Sequence, residues 1–276
     1  MIVALCLFCY MAVSPAQEMR ELGSDHFIVY FTADEKFARE VSDKAELYYN
    51  RIASDLGYPR YSGFWTWDNR VKIYIYPDHN SFLKASNQPS WSHGMADYTN
   101  KSILSYSGSE RFIDGMLPHE TAHLIFRDFV GFKGEVPVWL DEGVAQWAEP
   151  LKREMVKDVS RQLLDSGKFF SVKDMVNLDI RKVASDDTVK IRSIRGQDGK
   201  RVLFSLRGDA VVNTYYIEAV SLVGFLIGRY GASSFTDFCR QLRDGKSLEE
   251  ALRFAYPTRI NNIEELEDAW LKYLQG

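Results

Sequence analysis

Residues 117–126, LPHETAHLIF, contain the pattern that most limits how this chain can fold. His119 and His123 stand four positions apart, and Glu120 follows the first of them. On an α-helix, residues four apart point the same way, one turn displaced, so both imidazoles can bind one ion. An ordinary helix with two partly exposed histidines would show the same pattern. The motif by itself is therefore a hypothesis.

A third ligand is needed because catalytic zinc sites typically use three protein side chains. Glu142, with eighteen residues between it and His123, is the candidate. Pro137 predicts the start of a second helix, at 138–150, and Gly143 leaves room for another element to pack closely. The alternative is that Glu142 is a carboxylate that favours the positive end of the helix dipole, a role that Asp141 would also serve.

Two further residues of the first motif carry predictions. Glu120, beside His119, is placed to act on a metal-bound water instead of binding the metal. Pro118 fits either the first turn of a helix, where its missing N–H costs nothing, or a kink in a longer helix that begins near Glu110.

The composition narrows the class of protein. The apolar share of 46% and the aromatic share of 14% are enough for a sizeable core. The net charge of -4, from 38 acidic and 34 basic residues, gives no strongly basic face. We therefore expect no nucleic-acid partner.

The N-terminal segment predicts export. The first thirteen residues carry no charge and are too few for a membrane span, which takes about 20 apolar residues. Ser14 and Ala16 are the small residues of a cleavage site, so we predict a signal peptide at 1–16. The mature protein would be periplasmic or extracellular, without a membrane span. The missing basic start leaves a buried N-terminal strand as the alternative.

Cysteine usage fits this interpretation. Cys6 and Cys9 would leave with the signal peptide, and the mature chain would keep Cys239. We therefore expect no internal disulfide.

Hydrophobic periodicity predicts an α+β fold: a small N-terminal mixed sheet with a long helix, followed by a mostly helical part. Thr32 and Glu35 are spaced as a capping box for the long helix. The alternating segment 188–209 predicts a hairpin, which either folds over the cleft or lies elsewhere on the surface. The predicted strands are 26–31, 71–76 and 101–106.

The combined spacing resembles a known family. His119–Glu120–x–x–His123 followed by Glu142–Gly143–x–Ala145 is similar to the gluzincin metallopeptidases of the aminopeptidase N branch. WLDEGVAQWAE resembles even more the smaller bacterial peptidase-MA-like proteins. Softer matches at 91–106, to an edge strand beside the cleft, and at 216–231, to a late helix, extend the resemblance over most of the chain.

This resemblance implies a single zincin-like domain at 17–276, with Zn²⁺ as the cofactor. A sheet-containing lobe with the active-site helix would occupy 17–130, and a helical lobe with the hairpin insertion 131–276. The resemblance makes His119, His123 and Glu142 the metal ligands and Glu120 the general base.

Other roles follow from the resemblance alone. Tyr216 falls where the family has a tyrosine that hydrogen-bonds the oxyanion, and the adjacent Tyr215 is an alternative donor. Glu149, seven residues beyond Glu142 and therefore predicted on the same helix face, resembles a carboxylate that orients a ligand histidine. Each of these side chains also fits a plain structural role, in the core for the tyrosines and on a helix end for Glu149.

One departure affects the expected specificity. The larger aminopeptidases hold the free amine of the substrate with a glutamate, and the comparable segment here is HGMADY. No glutamate follows Met95, although Asp97 is near. We therefore do not expect aminopeptidase specificity.

The sequence thus predicts an exported zinc metallopeptidase that acts on a peptide or protein substrate. A zinc-binding cell-envelope protein with weak or no turnover is the alternative from another class. A zinc hydrolase acting on a non-peptide bond is the third hypothesis.

Overall fold

The computed structural model describes residues 19–57, 65–131, 136–183, 187–196 and 198–276. The predicted signal peptide at 1–16 lies outside the described residues. The strands are β1 (Arg20–Gly23), β2 (Phe27–Phe31), β3 (Val71–Tyr76), β4 (Met95–Asp97), β5 (Ser102–Tyr106), β6 (Val189–Arg192) and β7 (Leu203–Leu206). The helices are α1 (Glu35–Asp55), α2 (His79–Ser86), α3 (Leu117–Val130), α4 (Val138–Ala148), α5 (Pro150–Asp165), α6 (Val172–Asn177), α7 (Ile180–Val183), α8 (Gly208–Tyr230), α9 (Ala232–Arg243), α10 (Leu248–Ala255) and α11 (Ile263–Gln275).

The N-terminal half contains a five-stranded mixed sheet in the order β1-β2-β3-β5-β4. Strands β2, β3 and β5 are parallel, and β1 and β4 are antiparallel to their neighbours at the two edges. Val29, Ile73 and Ile103 are paired across the three central strands and fully buried. Helices α1 and α2 lie between strands of this sheet, and α3 to α11 follow it in the chain. The predicted α+β fold is therefore confirmed.

Helix α1 follows β2, as the apolar spacing predicts, but its capping differs from the prediction. Asp34 is the N-cap, and its carboxylate accepts a hydrogen bond from the backbone N–H of Phe37 at 2.9 Å. Glu35 forms ion pairs with Arg20 and Arg39 instead. The prediction of a Thr32–Glu35 capping box was therefore wrong, because an aspartate nearer to the helix fills the cap position.

The helix that carries the first motif begins at Leu117, with Pro118 in its first turn. Directly before it, Phe112–Met116 forms a π-helical turn in which the N–H of Met116 donates to the carbonyl of Arg111. Pro118 lacks an N–H and tolerates this position, so the first of the two alternatives holds. The C-terminus is at Gly131, in a left-handed conformation with φ 77°.

Helix α4 is shorter than expected from the sequence. It ends at Ala148, and Glu149 is extended, with ψ at 119°, between α4 and α5. The cause is Pro150, whose ring disfavours a helical conformation at the preceding residue. The prediction that Glu149 shares a helix face with Glu142 was therefore wrong.

Helix α8 is the central helix of the core and lies against α4. A Cβ atom added at Gly143 would stand 2.7 Å from the carbonyl oxygen of Ala219 and 2.7 Å from Cγ2 of Val223. The absence of a side chain at Gly143 thus permits the close packing of α4 against α8, as the sequence predicts for this position. By length and composition α8 could also cross a membrane, but 72% of its most apolar window is buried inside the protein.

The predicted hairpin is present as β6 and β7, which pair in antiparallel fashion. Residues of this hairpin and of the segment after β6 contact α6 and the residues before it. The N–H of Ile194 donates to the carbonyl of Phe169 at 2.7 Å, and Arg192 forms an ion pair with Asp174 of α6.

Candidate metal centre

Helices α3 and α4 bring the three predicted ligands together. One donor atom from each of His119, His123 and Glu142 lies within 4.8 Å of the other two. The two Nε2 atoms of the histidines are 3.2 Å apart. Each oxygen of Glu142 faces a different imidazole, with Oε2 at 3.8 Å from Nε2 of His119 and Oε1 at 3.9 Å from Nε2 of His123.

The other nitrogen of each imidazole contacts a carboxylate. Nδ1 of His119 lies 2.9 Å from Oε1 of Glu149, and Nδ1 of His123 lies 2.9 Å from Oδ1 of Asp141. An ionised carboxylate only accepts hydrogen bonds, so each Nδ1 carries the proton. When both imidazoles are neutral, the lone pairs on the two Nε2 atoms face each other and the oxygens of Glu142.

This arrangement fits a zinc ion. Facing lone pairs and an adjacent carboxylate repel one another unless a cation lies among them. Two nitrogens bound tetrahedrally to one zinc stand about 3.3 Å apart, close to the separation observed between His119 and His123. Both the chemistry and the spacing of the donors therefore suit Zn²⁺.

Asp141 contacts one of the candidate ligands, a contact that the sequence did not reveal. Besides His123 it contacts Arg127, with Nη2 of Arg127 at 2.6 Å from its Oδ2. Burial opposes its charge, but the hydrogen bonds from His123 and Arg127 outweigh burial and hold the pKa of Asp141 below its ordinary value. In the sequence, only the position of Asp141 beside Glu142 pointed to it. Its contact with His123 depends on how α3 packs against α4.

The pKa of the second buried carboxylate is lowered in the same way. Burial opposes the charge of Glu149, while hydrogen bonds from His119 and Lys152 lower its pKa. For His123, burial works against the charged form, but Asp141 outweighs it and raises the pKa of the imidazole. Each imidazole thus contacts an anion: Asp141 of α4 for His123, and Glu149, the residue directly after α4, for His119.

Glu120 differs from these carboxylates. Its pKa is raised because its side chain is removed from water, an effect that the adjacent charges of His119 and His123 reduce. Glu142 and Asp141 raise the pKa further. A carboxyl group whose pKa is raised is better suited to accept and return a proton.

The centre opens into a cavity of about 1000 Å³. Segment 176–182, from α6 to α7, contributes to its walls, and none of its described lining belongs to the hairpin 188–209. The lining residues are Tyr98, His123, Arg127, Val136, Pro137, Val138, Asp141, Glu142, Val176, Asn177, Leu178, Asp179, Lys182 and Tyr215.

Of the two tyrosines considered on α8, Tyr215 lines this cavity. Burial, the neighbouring Tyr216 and the charge of Glu142 raise the pKa of Tyr215, so its hydroxyl stays protonated. Tyr216 is partly buried against the hydrophobic core and does not belong to the described lining. The predicted role of Tyr216 stays a prediction.

The carboxylate of Asp97 is occupied in a turn. Its oxygens accept hydrogen bonds from the backbone N–H groups of Thr99 and Asn100, at 3.0 and 3.1 Å, and from the Asn100 side chain at 2.7 Å. In the cavity, Arg127 is paired with Asp141, and Lys182 lies 2.8 Å from Asp179.

Known proteins resemble this chain only distantly. No protein-family model and no curated protein matches this chain. Among solved structures, a mutant of the M1 zinc metallopeptidase from Deinococcus radiodurans is similar at 15% identity and a TM-score of 0.41, with 94% of this chain and 52% of that chain covered. The same mutant bound to a Tyr-Ser-Ala substrate is similar at 16% identity and a TM-score of 0.41, with 92% and 51% covered. This chain thus spans about half the length of those proteins.

Proposed function

We propose that this chain is a zinc-dependent peptidase that hydrolyses peptide bonds. The observation that supports this most is the pair of Nε2 atoms 3.2 Å apart, each on an imidazole whose Nδ1 contacts a carboxylate, with Glu142 facing both. His119, His123 and Glu142 would hold the metal. When bound, zinc supplies a Lewis acid that lowers the pKa of a water molecule and polarises a carbonyl group.

The residues around the ion have distinct tasks. Glu120 takes a proton from the attacking water and returns it to the nitrogen of the leaving amine, which its raised pKa favours. Tyr215 donates a hydrogen bond to the carbonyl oxygen as negative charge develops there. Asp141 and Glu149 keep the two ligand imidazoles in the tautomer that presents Nε2.

The edge strand β4 supplies a place for an extended substrate. It is the outermost strand of the sheet and pairs with β5 on one side only. Tyr98, the residue directly after β4, lines the cavity. A peptide that adds to the free edge of β4 by backbone hydrogen bonds would therefore run past the metal centre.

Export is part of the proposal and rests on the N-terminal sequence. A charge-free segment followed by Ser14 and Ala16 is typical of a signal peptide. N-terminal sequencing of protein recovered outside the cytoplasm should give Gln17 as the first residue. Recovery of the protein with its first sixteen residues intact would contradict the proposed cleavage.

The function is tested by metal analysis and by cleavage of an unstructured protein. Purified protein should hold about one zinc per chain and lose cleavage with a chelator. Glu120→Gln should keep the metal and lose about 10²–10⁴-fold in turnover, since it removes general acid–base catalysis. The matched control is Glu110→Gln, which makes the same change at an exposed glutamate that precedes the motif in the sequence.

The outcomes separate the three hypotheses. Equal activity of the wild type and Glu120→Gln would defeat the role assigned to Glu120. Zinc retention without cleavage of any peptide would favour the zinc-binding cell-envelope protein. Release of a product from a non-peptide substrate, with peptides untouched, would favour the third hypothesis.

A further inference from the structure

Tyr98 occupies a fixed position at the edge of the metal centre. It follows β4 directly and begins the turn that leads to β5. The Asp97 carboxylate accepts hydrogen bonds from the N–H groups of both Thr99 and Asn100, which holds this turn in place. The side chain of Tyr98 lines the same cavity as His123 and Glu142 and is 40% exposed.

The ring of Tyr98 is held by two residues of α3. The guanidinium of Arg127 lies 4.3 Å from the ring centroid, a cation–π contact. The ring also meets the imidazole of His123 edge to face, with centroids 6.0 Å apart at an interplanar angle of 87°.

These contacts form a closed cycle through Asp141. Arg127 is fixed by Asp141 at 2.6 Å, and Asp141 is fixed to His123 at 2.9 Å. The position of Tyr98 is therefore tied to the position of a candidate metal ligand. Because these contacts fix the ring, the side chain of Tyr98 is preorganised before a substrate binds.

The hydroxyl of Tyr98 is available to a substrate. Within the described part of the chain it makes no hydrogen bond, although the ring that carries it is held on two sides. The phenolic O–H is a hydrogen-bond donor, and it is carried by a side chain that lines the cavity.

We propose that the hydroxyl of Tyr98 donates a hydrogen bond to the carbonyl oxygen of the bond under attack, as a second donor besides Tyr215. This inference rests on the proposed function. The carbonyl oxygen gains negative charge as water adds, and a preplaced donor stabilises that charge more than it stabilises the uncharged substrate. Tyr98 would therefore be a catalytic residue that the sequence motif does not contain.

The experiment compares zinc-loaded wild type with Tyr98→Phe and Tyr98→Ala. Tyr98→Phe keeps the ring and its contacts with Arg127 and His123, and removes only the donor. We expect about 10²-fold loss in kcat with little change in KM, the typical effect of losing one such donor. Tyr74→Phe, on β3 and outside the cavity lining, should behave as wild type.

Two readouts do not depend on turnover. The first is the affinity for a phosphinic pseudopeptide, whose charged phosphinyl oxygens imitate the tetrahedral state. It should weaken about as much as kcat falls in Tyr98→Phe. The second is the affinity for zinc, measured by competition with a chelator. It should be unchanged in Tyr98→Phe and reduced in Tyr98→Ala, which removes the ring against His123.

Each result decides the inference separately from the function. If the wild type cleaves peptides and Tyr98→Phe equals it in kcat and in phosphinate affinity, the role of Tyr98 is overturned and the function stands. If the wild type cleaves nothing but binds the phosphinate, the function falls and the binding comparison still decides the role of Tyr98. If zinc-loaded wild type neither cleaves nor binds, both are overturned.

Discussion

Nδ1 of His119 lies 2.9 Å from Oε1 of Glu149, although Glu149 stands outside the helix that carries Glu142. The extended residue before Pro150 places this carboxylate beside the imidazole. Asp141 holds His123 at the same distance from the opposite end of α4. The two candidate ligand histidines on α3 are therefore both contacted by acids of the segment that contains the third candidate ligand.

These two contacts predict the metal affinity of variants. Asp141→Asn and Glu149→Gln should each weaken zinc binding about 10–100-fold, since each removes the anion that orients an imidazole. The loss should be larger for Asp141→Asn, which also leaves Arg127 without its carboxylate partner. Competition with a chromogenic chelator measures both. The control is Asp158→Asn, at a side chain that is 77% exposed on α5. Zinc affinities equal to that of the wild type in Asp141→Asn and Glu149→Gln would contradict the orienting role.

The close approach of α4 and α8 predicts a loss of stability in Gly143→Ala. The added methyl group would meet a backbone carbonyl at 2.7 Å, which a side-chain rotation cannot relieve. We expect the free energy of unfolding to fall by about 1–3 kcal/mol in urea denaturation. The control Gly228→Ala lies in α8, the helix against which Gly143 packs, and has no atom within 4 Å of the added carbon. It should be neutral or stabilising by up to about 1 kcal/mol. Similar losses in both variants would show that the packing at Gly143 is not special.

Glu218 predicts a pH-dependent stability. It is fully buried in α8, accepts a hydrogen bond from the N–H of Phe170 at 2.6 Å, and has its pKa raised well above the ordinary 4.5, first by burial and then by the charge of Glu267. Between the two pKa values, the folded state therefore holds a proton that the unfolded state has released. The stability this supplies is fully present below about pH 4.5 and declines as pH rises toward the folded-state pKa, by about 1.4 kcal/mol for each pH unit that separates the folded and unfolded pKa values.

Glu218→Gln tests that sign. The amide keeps an oxygen for the N–H of Phe170 and cannot ionise, so the variant should lose less stability than the wild type between pH 5 and pH 8. Urea unfolding at both pH values measures the difference. Glu264→Gln, exposed on α11, should leave the pH dependence unchanged. A wild type and a Glu218→Gln variant with equal pH slopes would contradict the assignment.

The pairing of charges in the cavity predicts cleavage within a chain. The carboxylate of Asp97 is occupied by its own turn, and Lys182 and Arg127 are each paired with an acid. A free terminus therefore gains no ionic partner from these described residues. A peptide acetylated at its N-terminus and amidated at its C-terminus should be cleaved at internal bonds about as fast as the unblocked peptide.

Mass spectrometry of the products checks this outcome. Asp97→Asn, which retains an oxygen for the turn, should leave the ratio of the two rates unchanged. Removal of single residues from the unblocked peptide alone would show that the site selects a free amine.

The local sequence was sufficient for several of the elements and for the choice of three candidate ligands. The alternation in 26–31 and 71–76 predicted two strands, and the spacing of His119, His123 and Glu142 predicted three donors that the structure brings together. These features depend on periodicity and on helix geometry over a few turns, which neighbouring residues determine.

Only the tertiary structure decided which side chains complete the centre. Asp141 could equally have favoured the dipole of α4, and nothing near Tyr98 in the sequence marks it as a neighbour of His123. The roles proposed for them follow from the packing of α4 and the end of β4 against α3, which brings together residues from three separate segments. Such contacts depend on long-range packing free energy, and the pattern within any single segment does not contain them.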